Sequence, residues 1–301
     1  MNTLRSLQCF VRAVELGSLS AAAREQHTSQ SNLSKIVAAL EAELGVRLLE
    51  RSTASLAPTV PGQRFYLRAK GVLEEYAEAV ADARGETAAS SGLLRVNAPV
   101  ALGQFALNGM VQEFLAAYPE MEVELILNDR MADLVEEGVD VALRLGSDLP
   151  LNAVARKVAS SPRWLVASPA YLKAHPAPLR PEDLPAHNYI RFAWLPSGDR
   201  LTLHGEKGSV TVPAHGRFRV NNALAIRDSL EGGAGIGLCP AWLVQDLIAR
   251  RKLRRVLRGW EGDAQEVHLL YPSRRYQPQR ARLFMDFVQP RIAQLPGMKP
   301  V

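Results

Sequence analysis

The sequence predicts two folds in series. A small all-α head, with a helix-turn-helix and a β-like wing, leads through one long helix to a two-lobed α/β domain. Three observations carry this. Leu33, Ile36, Val37, Leu40 and Leu44 recur at spacings of three and four behind a polar break, as on one face of an amphipathic helix. Tyr66, Ala69, Leu73, Tyr76, Val80 and Ala83 alternate steps of three and four, the spacing of a coiled-coil seam. From Leu93 onward short apolar runs alternate with helical patterns, which signals a mostly parallel sheet.

In chain order, Leu4, Leu7, Phe10, Val11 and Val14 make a first amphipathic helix that Gly17 ends. Ala21, Ala22 and Ala23 open a second, running to about Gln26, with Ser18 or Ser20 as N-cap. His27, Thr28 and Ser29 interrupt it, and Ser29 is placed to cap the helix carrying the Leu33 stripe, which Gly45 closes. Gln30, Ser31, Asn32, Ser34 and Lys35 are left on the outer face of its leading end. Amide, hydroxyl and amine groups there are what major-groove readout needs: Gln and Asn pair with adenine, Lys and Ser with guanine or phosphate. Spacing alone favours two core helices of some other domain with a solvated polar face. Residues 46–61 are short, proline-bearing and partly β-like, as a wing would be. The long helix starts near Pro61, and nothing else within reach in the sequence would bury its seam, so a second copy of the chain is the economical partner, with a helix lying against its own domain as the alternative. Gly85 and residues 88–92 read as a hinge. The resulting layout is a head at 1–60, a linker helix and hinge at 61–90, and an α/β domain at 91–301.

In the α/β domain, residues 93–97, 122–127 and 139–145 read as strands. Residues 102–118 form a helix with Phe105, Leu107, Val111, Phe114 and Leu115 inward, and 131–137 a shorter one. A second lobe begins near Trp164, with an irregular proline-bearing middle and short strands near 189–192, 201–204 and 217–220. A helix at 222–231, a glycine turn, a strand at 236–239 and a helix at 240–251 follow. Residues 267–271 and the helix after Pro278 return the chain. Lobe one thus takes about 91–162 and 266–301, and lobe two about 163–265. Ligands of such folds bind beyond the carboxyl ends of the strands. Those places hold Pro99, Val100 and Ala101, then Asn128 and Asp129, then Arg144; the opposing lobe offers Asn222 at a helix start and Trp194 in a loop. Free amides at a helix start favour an anion, and Arg144 would add a bidentate contact. Arg144 is equally well read as an ion-pair partner of Asp129 or Asp140. Trp194 either covers an apolar part of a ligand or belongs to the lobe core.

The run AAAREQHTSQSNLSKIVAALEAELGVRLLER resembles the winged helix-turn-helix of the LysR-type transcriptional regulators. LRVNAPVALGQFAL, DLVEEGVDVALRLG, SPAYLKAHPAPLRPEDL and NNALAIRDSLEGGAGIGLCPAWLV resemble their effector domain, whose two-lobed fold is of the type 2 periplasmic-binding-protein kind. The resemblance spans nearly the whole chain. It implies a homo-oligomer, dimer or tetramer, pairing through the linker helix at Tyr66, Leu73, Tyr76 and Val80. Ser29, Gln30, Ser31, Asn32, Ser34, Lys35 and Arg51 would meet a partly palindromic duplex DNA operator. A small effector, expected to be anionic, would bind in the inter-lobe cleft. Two features depart from the family pattern: Gln26 and Thr28 stand where it is apolar, and the wing lacks bases beyond Arg47 and Arg51.

Composition is that of an ordinary globular protein, 47% hydrophobic and 22% charged. Net charge is +5, and it is uneven: residues 1–70 hold nine basic against five acidic groups, residues 71–90 one against five. No apolar run approaches the roughly 20 residues of a membrane span, the start lacks a signal-peptide layout, and a cytoplasmic location is expected. Cys9 and Cys239 read as buried thiols. The histidines show no metal-ligand spacing, and no P-loop or nucleophile elbow is present, so neither cofactor nor metal is expected. Gly233, Gly235 and Gly237 follow a helix and precede a strand, the reverse of a dinucleotide loop. The Arg250–Arg255 cluster reads as a helix C-terminal cap before it reads as a DNA contact. The rival to a DNA-binding regulator is a small-molecule binding protein or enzyme of the periplasmic-binding fold with an accessory helical domain.

Overall fold

The computed structural model describes residues 2–51, 56–83, 91–130, 134, 137–150, 153–193, 199–272 and 277–301. They divide between two compact units, Met1–Ser90 with Val135–Gly138, and Ser91–Leu134 with Val139–Val301. No helix among the described residues is long and apolar enough to cross a membrane.

In the first unit, α1 (Thr3–Glu15) is capped by Asn2. Helix α2 (Leu19–Glu25) is capped by Ser18, whose Oγ accepts from the Ala21 amide at 3.2 Å. His27 takes a left-handed φ of 50°, and α3 (Gln30–Leu44) begins behind Ser29, whose Oγ accepts from the Asn32 amide. Gly45, at φ 67°, closes α3. Phe10, Ala22, Leu33, Val37, Leu40 and Ala69 share one core. Leu44 does not join the stripe as expected. Residues 42–47 are all exposed, so the last turn of α3 extends beyond what its neighbours cover, and Ile36 is only half-buried.

The wing is a two-stranded antiparallel ribbon, β1 (Leu49–Arg51) against β2 (Leu56–Pro58). Glu41 ties it to α3, accepting from the Leu48 and Leu49 amides at 2.8 and 3.0 Å. Helix α4 (Val60–Ala83) follows. Its predicted seam is divided. Ala69 is buried and Tyr66 and Leu73 are partly buried in the unit's own core, so α1 covers the half that the sequence assigns to a second copy. Phe65 packs on Phe10 at 5.5 Å, and Glu15 on α1 accepts from the Tyr66 hydroxyl at 3.0 Å. Tyr76 is exposed and Val80 half-buried. The expected hinge lies almost wholly outside the described residues.

The second unit opens with β3 (Gly92–Ala98), α5 (Val100–Leu102), a π-helical turn over Gly103–Leu107, and α6 (Asn108–Ala117). The π turn adds a residue and shifts the helical phase. Leu107, Val111 and Phe114 therefore point inward while Phe105, expected inside, is 45% exposed. Strands β4 (Met121–Leu127) and β5 (Val141–Leu145) flank β3 in parallel. The helix expected at 131–137 falls largely outside the described residues. Strand β6 (Ala153–Ala167) is a single long strand, not a start at Trp164. Then come α7 (Pro169–Ala174), a 3-10 turn (Pro181–Ala186), β7 (Arg191–Phe192), and the hairpin of β8 (Arg200–Gly205) with β9 (Gly208–Pro213), whose second strand was not anticipated. The chain continues through β10 (Arg219–Val220), α8 (Ala223–Glu231), β11 (Ile236–Pro240), α9 (Ala241–Ala249), β12 (Arg254–Arg255), β13 (Trp260–Pro272), α10 (Gln279–Ala293) and β14 (Lys299–Pro300). The main sheet runs β11-β6-β13-β5-β3-β4. The lobe boundaries read from sequence, near 162 and 266, both fall inside β6 and β13, the antiparallel pair at its centre. One core gathers Leu94, Phe114, Trp242 and Phe284; a second gathers Leu165, Tyr189, Leu203 and Leu257.

Candidate nucleic-acid interface and effector cleft

The leading end of α3 projects the polar set the sequence singles out. Ser29, Gln30, Ser31, Asn32 and Lys35 are exposed and Ser34 is half-buried. The side chains of Gln30 and Lys35 make no hydrogen bond among the described residues. Asn32 is oriented: its Nδ2 donates to Thr28 Oγ1 at 2.9 Å, which uses one amide hydrogen and leaves the other and Oδ1 for a base. Ser29 and Ser31 share a 3.1 Å hydroxyl contact. The unpaired amides of the helix start and its dipole favour a phosphate nearby. Arg51 sits in β1 opposite Leu56, and its side chain lies outside the described residues. Sequence reasoning passed over Thr28 as a departure from an apolar position and missed that its hydroxyl holds Asn32.

In the second unit the strand ends assemble a polar cluster. Pro99 is buried and precedes α5, Val100 is half-buried, and Ala101 is buried. The Val100 amide, expected to be open to a ligand, donates instead to Asp129 Oδ1 at 3.1 Å. Burial raises the Asp129 pKa above the ordinary carboxylate value, opposed by that hydrogen bond and by the charge of Arg144. Arg144 is itself buried, and its Nη1 donates to Asn97 Oδ1 at 2.7 Å and to the Leu143 carbonyl at 2.8 Å. Asp140, the other partner weighed for Arg144, accepts from the Arg95 amide and pairs with Arg280 at 3.5 Å. Asn128 holds its turn, its Oδ1 accepting from the Arg130 amide at 2.9 Å. Asn222 caps α8, its Oδ1 accepting from the Leu224 and Ala225 amides at 2.9 and 3.1 Å. Trp194 lies outside the described residues.

One bridging residue was not singled out from sequence. Arg227, on α8, forms a bidentate pair with Asp246 at 2.6 Å for both bonds and stands 4.8 Å from the Phe105 ring of the π turn. Its signal was slight: an arginine on a short helix and a phenylalanine assigned to the core. Of the basic cluster, Arg250 ends α9, and Arg255 pairs with Glu261 and stacks on Trp164 at 4.2 Å. Both cysteines are free and buried.

Comparison with known proteins identifies the two domains. Residues 4–63 match the family of bacterial regulatory helix-turn-helix proteins, lysR family, and residues 87–293 match the LysR substrate binding domain. The HTH-type transcriptional regulator PtxR of Pseudomonas aeruginosa is 33% identical, over 97% of this chain and 94% of its own. The HTH-type transcriptional activator AaeR of Escherichia coli is 29% identical over 95% and 93%. Among solved structures, the full-length Vibrio cholerae virulence activator AphB is 30% identical with a TM-score of 0.60, covering 95% of this chain and 98% of that one. CrgA from Neisseria meningitidis is 28% identical with a TM-score of 0.63, covering 96% and 99%. With family models matching residues 4–63 and 87–293 and a relative 33% identical over 97% of it, the chain belongs to the LysR family of transcriptional regulators, built from a DNA-binding helix-turn-helix domain and a small-molecule-binding domain.

Proposed function

We propose that this regulator reads a partly palindromic operator as a homodimer, or as a tetramer of two such dimers, and that a small molecule in the inter-lobe cleft alters that binding. The observation that carries the DNA reading is the capped start of α3, with Gln30, Ser31, Asn32 and Lys35 all exposed on one end. Gln30 and Asn32 read base edges, Ser34 and Lys35 complete the groove face, and Ser29 and Arg51 meet the backbone. The head at 1–60 and the linker at 61–90 act as one reading unit per chain. Pairing runs along the outer part of α4, where exposed Val72 and Tyr76 and half-buried Val80 support a second copy more than Tyr66 and Leu73 do. The effector meets Pro99, Val100, Ala101, Asn128, Arg144, Asn222 and Trp194 within 91–301, and favours one arrangement of the domains over another. Gel shifts on the promoter DNA flanking its own gene test the reading. Retarded, sequence-dependent complexes support it; equal affinity for promoter and scrambled duplex contradicts it.

A further inference from the structure

A chain of polar contacts crosses the head from the linker helix to the helix-turn-helix. Its hub is Glu15, the last residue of α1, whose two carboxylate oxygens are both engaged. Oε1 accepts from the Tyr66 hydroxyl of α4 at 3.0 Å and from Lys70 Nζ at 3.3 Å, and Oε2 accepts from Arg12 Nη1. The other arm of that guanidinium, Nη2, donates to Glu25 Oε2 at 2.7 Å. Glu25 ends α2, just ahead of the turn in which Thr28 holds Asn32. Burial alone would raise the Glu15 carboxyl; hydrogen bonds from Tyr66, Arg12 and Lys70 outweigh it and hold the group below its ordinary value. Apolar packing does little of this work on α2, which buries only Ala22 and Ala23, with Leu19 packed at the edge. Burial is also non-directional, whereas charge-assisted hydrogen bonds from one guanidinium to two carboxylates fix a direction at each end. A single exposed ion pair contributes little, and a connected network is the exception.

Helix α4 presents different faces to α1 and to solvent. Tyr66 and Lys70, four residues apart, meet α1; Val72 and Tyr76, also four apart, are exposed about a third of a turn away. A dimer paired on the second face holds each reading helix only as firmly as the first face holds the head. Taking the paired reading proposed above, we infer that Arg12 and Glu15 are positioning residues: they fix the angle of the helix-turn-helix to α4 and so set the half-site spacing the dimer accepts. The two reading helices must meet grooves about one helical turn apart, or a multiple of it, so a rotation of either head changes the spacing that fits. Neither residue touches DNA in this role.

The test uses the full chain and three kinds of duplex. One is the promoter site; in the second its half-sites are moved together or apart by two base pairs, roughly 70° of helical rotation; the third carries a single half-site. Arg12→Lys keeps the charge but cannot span both carboxylates. A wrongly spaced duplex forfeits base contacts in one half, so the wild type should prefer the natural spacing by at least about tenfold, and Arg12→Lys should narrow this to within about threefold. Affinity for the single half-site should not change. Glu15→Gln keeps the shape, removes the charge of the hub and should narrow the preference likewise, which decides the matter if Arg12→Lys does not fold. Its added positive net charge acts on every duplex and cancels in the ratio. Full spacing preference in these variants overturns the inference, and so does an equal loss on all three duplexes, which is what a folding defect gives. A wild type indifferent to spacing contradicts the paired reading itself, and the positioning role falls with it.

Discussion

On the proposed reading, Asn32 meets DNA already held in place by Thr28. Its bond to Thr28 Oγ1 restricts the rotamers of a side chain that must otherwise be ordered on binding, so part of the entropy cost is met in the free protein. Thr28→Val keeps the shape and removes the acceptor; specific affinity should fall by about 1 kcal/mol, while affinity for scrambled DNA stays the same. Titrating both duplexes checks this, and an equal loss on the two would point to a folding defect. The Arg227–Asp246 pair makes a second prediction. Arg227's hydrogen bonds hold the Asp246 carboxyl below its ordinary value, against the effect of burial. A depressed pKa means that the contribution is fully present above the unfolded carboxylate range and is lost as pH falls through the folded value. Asp246→Asn leaves a buried guanidinium without its charge partner. After discounting for an Asp246 side chain that is 37% exposed, the cost should be about 2 kcal/mol at pH 7. The wild-type advantage should shrink below about pH 4, as measured by denaturant melts across that range.

At the level of elements, periodicity reveals that a face is apolar but not what covers it. The α4 repeat was legible in full, and its division was not: Phe10 and Glu15 on α1 meet Phe65 and Tyr66, contacts between residues far apart in sequence. The same limit explains Leu44, whose spacing matches Leu33, Val37 and Leu40 but whose turn lies beyond the bundle. Phe105 failed for a different reason, since a π turn breaks the period that assigned it inward. Strand β6 was read only from Trp164, because residues 153–163 mix charged and small side chains and owe their strand to pairing with β13. Caps are local, so Ser29 was legible and Ser18 was one of two candidates with Ser20, while Asn222 was read as a helix start and proves to be its cap. At the strand ends, position in the chain was legible and hydrogen-bond partners were not, as Val100 with Asp129 shows. The division of α4 also selects the variant that probes assembly. Leu73→Asp would place a carboxylate against the head's own core and unfold it, whereas Tyr76 is 53% exposed in the single chain. Tyr76→Glu should weaken dimerisation by at least about tenfold, since a charge is costly in an apolar seam. Sedimentation equilibrium reads this, and the thermal midpoint should be unchanged.

For the whole molecule, the claim is linkage between a DNA-reading head and a ligand-binding domain in one chain. Coupling of this kind requires that head and ligand each prefer one of two assemblies, and the same free energy must appear whichever is titrated first. It also requires that the head discriminate sequence, because a head bound by charge alone has no operator from which to be released. Charge supplies an affinity for any duplex that falls steeply with salt; in the proposed reading, base contacts from Gln30 and Asn32 supply the difference between sequences. The most direct measurement is a titration of promoter and scrambled duplexes at two salt concentrations, with the wild type, Lys35→Ala and the Gln30→Ala/Asn32→Ala double variant. Each of the two groups in the double variant should contribute roughly 1–3 kcal/mol of discrimination. The predicted result is that the double variant loses most of the promoter preference and keeps its salt slope, whereas Lys35→Ala weakens both duplexes and lowers the slope. Full promoter preference in the double variant would contradict the assignment of α3 as the helix that reads DNA.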